Sequence, residues 1–297
     1  MTVDPLMKSI HQLSVSVEAL AALGAALRLH RSNAEADLRV RARLEAVLHA
    51  IDPPLAELCL GNRADYAGPL IETVFSQSAD LLHNPERAPG WYHQDHLILQ
   101  SQGQVSRLIV HNIDELAADR PDLRAILRGS GAFLDVGTGA GWLALEAARI
   151  WPKLRIVGID VWEPALALAR DNVTVSEHGE RIELKSQAVE HLDEPETYAL
   201  AWFPGTFIPA EITQTALERI YRALVPGGWL IFALWALSDD LLAAAVANLR
   251  IVRSGGYPWL ATDVADALLA AGFVGIEAPP LGEPASPVAF VLGQRPK

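Results

Sequence analysis

Asp135, Gly137, Gly139, Gly141 and Asp160 are the residues whose types and spacing suit chemistry. The first four lie in FLDVGTGAGW (133–142), where an apolar run meets an acid and then glycines at alternate positions. A helical pattern, WLALEAARI, begins at once, and a second apolar run, IVGID, ends on Asp160, 19 positions after Gly141. The order is strand, glycine turn, helix, strand and acid. Glycine adopts φ > 0 at little steric cost, and a missing Cβ lets a ligand lie against the backbone. A helix N-terminus directs unpaired amides at the same spot. A carboxylate at the end of the next strand accepts hydroxyl donors from a ribose. The spacing is close to the roughly 20 residues of a ribose-binding βαβ unit. These residues suit a nucleoside.

The glycines also discriminate among nucleosides. A dinucleotide fingerprint, GxGxxG, would place its third glycine at position 142, where Trp142 stands. An indole there opposes the close packing that admits a pyrophosphate, so a nicotinamide oxidoreductase is disfavoured. The pattern is instead D-x-G-x-G-x-G. It resembles motif I of the class I S-adenosylmethionine methyltransferases, and Asp160 resembles their motif II acid. RALVPGGWLIF (222–232) is similar to the segment leading into that family's fifth strand, and ALLAAGF (267–273) to the one before its sixth. The resemblance covers roughly residues 120–297 and not the N-terminal third. It implies S-adenosylmethionine as cofactor, with Asp135, Gly137, Thr138, Gly139 and Gly141 around the methionine part. It also implies Asp160 on the ribose hydroxyls and Val161 beside the adenine. Gln187 and Ala188 stand in the loop where the family often has an acid on the adenine amine. Phe203 would flank the cofactor. The stretch AWFPGTFIP (201–209) lacks the (N/D)PP(Y/F) motif of the DNA- and protein-glutamine-methylating relatives, which speaks against those substrates.

The elements that must position these residues follow from periodicity. Strands are expected at 132–136, 154–160, 181–186, 197–203, 228–235, 273–278 and 287–293. Helices are expected at 140–150, 164–174, 209–224, 239–250 and 260–271. This alternation means a doubly wound, mostly parallel seven-stranded sheet, a Rossmann-like methyltransferase fold. Pro226-Gly227-Gly228 is expected to end the helix before the fifth strand. The last two strands are joined by a Pro/Gly-rich connection without a helix, which predicts an antiparallel hairpin. The first third reads as an all-helical domain. Leu6, Ile10, Leu13, Val17, Leu20 and Leu27, with Gly24 in line, form a seam of nearly heptad period on a helix over 1–30. That seam serves either internal packing or a homodimer contact. Ser32-Asn33-Ala34-Glu35 has the form of a capping box for a second helix. Two short helices are expected over 55–82, broken near Gly61-Asn62. The division is therefore 1–90, a helical cap or dimerisation domain; 91–120, a linking lid; and 121–297, the cofactor domain.

Residues 83–104 combine turn formers with aromatic and imidazole side chains, and suit a segment folded over the cofactor. The acceptor is expected between this segment and the 202–209 loop, held by Trp91, Tyr92, Gln100, Trp202, Thr206 and Phe207. His93 and His96 are the candidate bases, His93 first by position; His191 suits a structural role. No matching cluster makes His93 and His96 metal ligands, so no metal is expected.

Composition limits the partners. The chain has 297 residues, 51% of them apolar, with mean hydropathy +0.18. Its net charge is −12, and no dense basic run offers phosphates a stripe, so nucleic acid is not the expected partner. A small, uncharged or cationic substrate fits better. No stretch approaches 18 uncharged apolar residues, and no membrane span is expected. Neither is a signal peptide, since MTVDPLMKSI lacks a basic start and an apolar core. The single cysteine, Cys59, excludes an intrachain disulfide and points to the cytosol. The expected function is methyl transfer to O, N or C of a small organic molecule. The alternatives are a non-methylating step on the same cofactor and a non-catalytic dimeric partner that retains the fold.

Overall fold

The computed structural model describes residues 4–32, 35–55, 64–236, 238–280 and 288–297. The chain forms two compact units, Met1–Pro85 and Glu86–Lys297. The expected boundary at 90 therefore moves to 85, and the segment set aside as a lid belongs with the sheet.

The first unit holds α1 (Pro5–Ser32), α2 (Leu38–Ile51) and α3 (Ala64–His83). Its core is Leu27, Leu48 and Ile71, with Leu20, Leu23 and Phe75 packed around them. Gly24 lets α3 approach, since a Cβ there would stand 3.0 Å from Ile71 Cγ2. The seam on α1 thus divides. Its C-terminal half is internal, while Leu6 (64%), Leu13 (57%) and Val17 (52%) stay exposed. α1 is also long and apolar enough, by length and composition alone, to cross a membrane. His11, Gln12 and Glu18 interrupt it. Ser32 ends α1 instead of capping α2. The cap of α2 is Asp37, whose carboxylate accepts from the Arg39 backbone N–H at 2.8 Å. Asn33, Ala34, Cys59 and the Gly61-Asn62 break lie outside the described residues.

The second unit is built on β1 (Ala132–Val136), β2 (Arg155–Asp160), β3 (Ile182–Ser186), β4 (Tyr198–Pro204), β5 (Leu224–Trp235), β6 (Val274–Glu277) and β7 (Val288–Gln294). Their order is β3-β2-β1-β4-β5-β7-β6. The first five strands pair in parallel, and β7 runs antiparallel to both its neighbours. Alternate strand residues feed opposite cores, as a sheet covered on both faces requires. Phe133, Leu200, Trp202 and Ile231 join one core. Leu134, Ala201, Phe203 and Phe232 join the other. Each such aromatic or branched side chain contributes about 1.5–3 kcal/mol on burial.

Helices α4 (His96–Leu116), α5 (Pro121–Arg128), α6 (Trp142–Ile150), α7 (Glu163–Thr174), α8 (Ala210–Ala223), α9 (Leu241–Arg253) and α10 (Ala261–Ala270) accompany the sheet. α8 shows why they dock. Thr213, Ala216, Leu217, Ile220 and Ala223 recur at helical spacing and are all buried. α4 begins at His96 because the Asp95 side chain accepts from the Leu97 N–H at 2.7 Å. Pro226-Gly227-Gly228 does not end α8. The helix stops at Ala223, and the three residues lie inside β5.

Candidate functional site

Turn and acid come together at the carboxyl ends of β1 and β2. Gly137, Gly139 and Gly141 have φ of +66°, +55° and +80°, the left-handed region that only glycine adopts freely. The N–H groups of Gly137 and Thr138 both donate to Ile159 O, at 2.9 and 3.0 Å. The Gly139 N–H donates to Asp160 Oδ2 and the Trp162 N–H to Asp160 Oδ1, both at 2.8 Å. These turn amides are therefore engaged within the protein rather than unpaired. The turn pins β1 to β2 and orients Asp160; it is not a phosphate cradle. The glycines divide the work. A Cβ on Gly139 would meet only Gly137 O at 3.9 Å, so its face is open to a ligand. Gly141 is buried, and a Cβ there would stand 3.1 Å from Ala169 Cβ. Its expected place at the ligand is corrected to packing between α6 and α7.

The electrostatics describe what the site lacks. Burial pushes the Asp135 carboxyl up to about 7, against the opposing Thr138 hydroxyl, and the nearby Asp160 adds to the rise. That hydroxyl donates to Asp135 Oδ2 at 2.7 Å. It fits because β2 carries Gly158 opposite; a Cβ there would be 2.7 Å from Thr138 Oγ1. Burial also raises Asp160, against the Trp162, Gly139 and Val161 N–H groups. Asp135 is buried and Asp160 partly buried beside it, and among the described residues no cation acts on either. A ligand that brings positive charge and hydroxyl donors relieves both. S-adenosylmethionine brings an ammonium, a sulfonium and a ribose diol, so the residues fit it; a pyrophosphate would add to the negative charge.

The remaining candidates separate. Val161 is 68% exposed beside Asp160, an apolar ledge open to a flat ring. Gln187 follows β3; its N–H donates to Asp160 O at 3.0 Å and its side-chain amide to His191 O at 3.3 Å. Ala188 caps the short turn that ends at His191. Phe203 is sealed in the core against Phe232, with ring centroids 5.1 Å apart, and has no surface for a ligand. Trp202 packs on Phe290 in the opposite core. Both are corrections with one cause: residues inside β4 point alternately into the two cores. Gln100 is corrected likewise. Its carbonyl oxygen accepts from Trp142 Nε1 (2.5 Å) and Asn172 Nδ2 (3.1 Å), and its amide donates to Asn172 Oδ1 (3.2 Å). It braces α4 against α6 and α7. Gly103 on α4 makes room for the same indole, since a Cβ there would stand 2.7 Å from Trp142 Cδ1.

Residues 86–95 form a strap within this unit. At one end the Gly90 N–H donates to Arg253 O (3.0 Å) and Arg87 Nη1 to Gly90 O (2.7 Å). At the other, the Trp162 indole N–H donates to His93 O at 2.7 Å. Trp91 meets Phe207 edge to face at 5.4 Å, so the strap and the loop after β4 touch. The Trp91 and His93 rings also meet edge to face, with centroids 4.8 Å apart. Tyr92 is half-exposed and lies 6.3 Å from Trp162. Thr206 is buried under Gly256, where a Cβ would collide with Thr206 O. His96 is exposed at the first position of α4. Sequence reasoning missed Trp162, Asn172, Gly158 and Gly103. Only Trp162, two positions past the acid, carried a local signal.

This strand order, with its antiparallel seventh strand and a glycine turn tied to the β2 acid, defines a Rossmann-like methyltransferase fold. A family model described as a methyltransferase domain matches residues 133–228. The ribosomal protein L11 methyltransferase of Sorangium cellulosum is 31% identical over 160 residues, 53% of this chain and 48% of that one. The carboxy-S-adenosyl-L-methionine synthase of Actinobacillus succinogenes is 29% identical over 129 residues, 41% of this chain and 54% of that one. The chain thus spans about half the length of these curated relatives. Among solved structures, an O-methyltransferase family protein from Burkholderia thailandensis superposes with TM-score 0.66 at 17% identity, covering 100% of this chain and 99% of its own. Human N-acetylserotonin methyltransferase, solved with S-adenosylmethionine, gives 0.58 at 17%, covering 100% of both. The likeness to both is one of fold. Residues 133–228 thus match a methyltransferase domain, which lies within a Rossmann-like fold preceded by a helical region.

Proposed function

We propose that this protein transfers a methyl group from S-adenosylmethionine to O, N or C of a small organic molecule. The observation that carries the reading is the strap. It sets Trp91, Tyr92 and His93 beside Trp162, two residues past the acid expected on the ribose, and it meets Phe207 on the loop after β4. Aromatic walls of this kind suit an apolar organic acceptor. The cofactor supplies a methyl already activated on a sulfonium. The chain's work is to align the acceptor, exclude water and lay aromatic faces near the positive charge. A base is needed only where the acceptor must lose a proton. His93 is the first candidate and His96, exposed at the start of α4, the second. The exposed residues Leu6, Ile10, Leu13 and Val17 support a homodimer through α1, and the cytosol is the compartment that suits the chain. The test is calorimetry with S-adenosylmethionine, S-adenosylhomocysteine and NAD, followed by assay of S-adenosylhomocysteine release over a panel of phenols, amines and enolisable ketones. Both sulfur ligands should bind and NAD should not. NAD binding with no response to S-adenosylmethionine would overturn the reading. Turnover of the cofactor without S-adenosylhomocysteine would point to a non-methylating step.

A further inference from the structure

We infer that Trp162 is a positioning residue that couples occupancy of the Asp160 carboxylate to the strap carrying His93. The inference rests on S-adenosylmethionine being the cofactor and adds a role for a residue outside the glycine turn. Trp162 donates twice, in two directions. Its backbone N–H goes to Asp160 Oδ1 at 2.8 Å, and its indole N–H goes to His93 O at 2.7 Å. One residue therefore joins the acid that faces the ribose to the peptide that bears the candidate base. The indole is itself held by packing, against the small cluster of Leu99, Ala140, Ala165 and Leu168. The strap is fixed at its far end through Gly90 and Arg253, so the Trp162 bond sets the near end.

The coupling follows from what Asp160 gains. Its carboxylate is partly buried and, among the described residues, is served by backbone N–H groups. Ribose hydroxyls add donors to the free lone pairs and favour the ionised form. An ionised acceptor strengthens the Trp162 N–H bond, which fixes that backbone and with it the indole. The strap should then open less often. Since its open state is a minor population, a large change in opening leaves cofactor affinity almost unchanged. Affinity and strap protection are therefore separable.

Hydrogen exchange of the 91–95 amides, with and without S-adenosylhomocysteine, tests this on the full chain. In the wild type the ligand should slow exchange there by about fivefold, the scale of one hydrogen bond. Amides of α10 (Ala261–Ala270) should change less, which separates a tie from general stiffening. Trp162→Phe keeps a ring but lacks the donor. It should bind S-adenosylhomocysteine within about twofold of wild type and lose the slowing at 91–95. Ligand binding to the wild type with no slowing, or equal slowing in the phenylalanine variant, overturns the inference and leaves the cofactor reading intact. The wild-type arm decides even if the variant does not fold. Failure of the wild type to bind the ligand at all strikes the cofactor reading first, and calorimetry reports that separately.

Discussion

Two regions of the sheet unit each bury a carboxylate and treat it in opposite ways. Glu146 on α6 is 3% exposed and Asp135 at the end of β1 is 1% exposed. Burial disfavours the ion at Glu146 too, but Arg149, Arg107 and His111 outweigh it and hold that carboxyl at about 2. Arg149 Nη2 is 2.6 Å away, His111 Nε2 2.9 Å and Arg107 Nη2 3.1 Å. Asp135 has a threonine hydroxyl and a neighbouring acid, and sits near 7. A structural carboxylate brings its counter-charges with it. Among the described residues Asp135 has no such counter-charge, and that deficit makes it a candidate for a cationic ligand.

The largest effect should come from breaking the satisfied region. Glu146→Gln leaves two arginines and a histidine without their anion, and the network ties α4 to α6. The cost should be about 3 kcal/mol, the lower end for one partner of a buried ion pair, because both arginines keep some contact with water. A urea midpoint at constant slope measures it. Asp135→Asn should cost nothing or stabilise. Equal losses at the two positions would erase the contrast.

The pH dependence should separate the two acids next. Glu146 has a folded value of about 2, below its usual 4.5. Its contribution is complete above 4.5 and is lost as pH falls toward 2. Asp135 has a folded value of about 7, above its usual 3.8. Between those values the folded protein holds a proton that the unfolded chain has released, so stability declines as pH rises and levels off above 7. Asp135→Asn should flatten the upper slope and leave the acid one. The same variant should weaken S-adenosylmethionine about tenfold at a pH near 8, on the scale of one charge-assisted bond. Its affinity should also no longer rise through neutral pH. Calorimetry across that range measures both, and an Asp135→Asn protein whose affinity still rises would place the titrating group elsewhere.

Local chemistry made the turn and its acid legible, because glycine conformations and strand alternation act over a few residues. Contacts between distant residues were not legible. Pro226-Gly227-Gly228 reads as a helix stop, yet Gly227 N–H donates to Arg295 O and Arg295 N–H to Gly228 O, which holds those residues in a strand. Gln100 reads as a polar pocket residue until Trp142 and Asn172, 42 and 72 positions away, take its amide. Phe203 was assigned by resemblance at a position where alternation along β4 alone argued for the core. The seam on α1 has one periodicity, and periodicity does not say where a partner helix ends.

The smallest effect tests whether three cations share Glu146. Arg149 is half in water (52% exposed) and lies three residues along the same helix, where such a pair is worth at most about 1 kcal/mol. Arg107 is 27% exposed and comes from α4. Arg149→Ala should therefore lower stability by less than about 1 kcal/mol, since Arg107 and His111 still answer the buried carboxylate. The Glu146 acid transition should move upward from about 2 toward its usual 4.5 without reaching it. Both shifts can be read from one set of urea curves recorded at several acid pH values. A loss as large as that of Glu146→Gln would make Arg149 the sole effective partner. Glu146 would then be nearly as short of positive charge as Asp135, and the two regions would differ in one exposed side chain rather than in design.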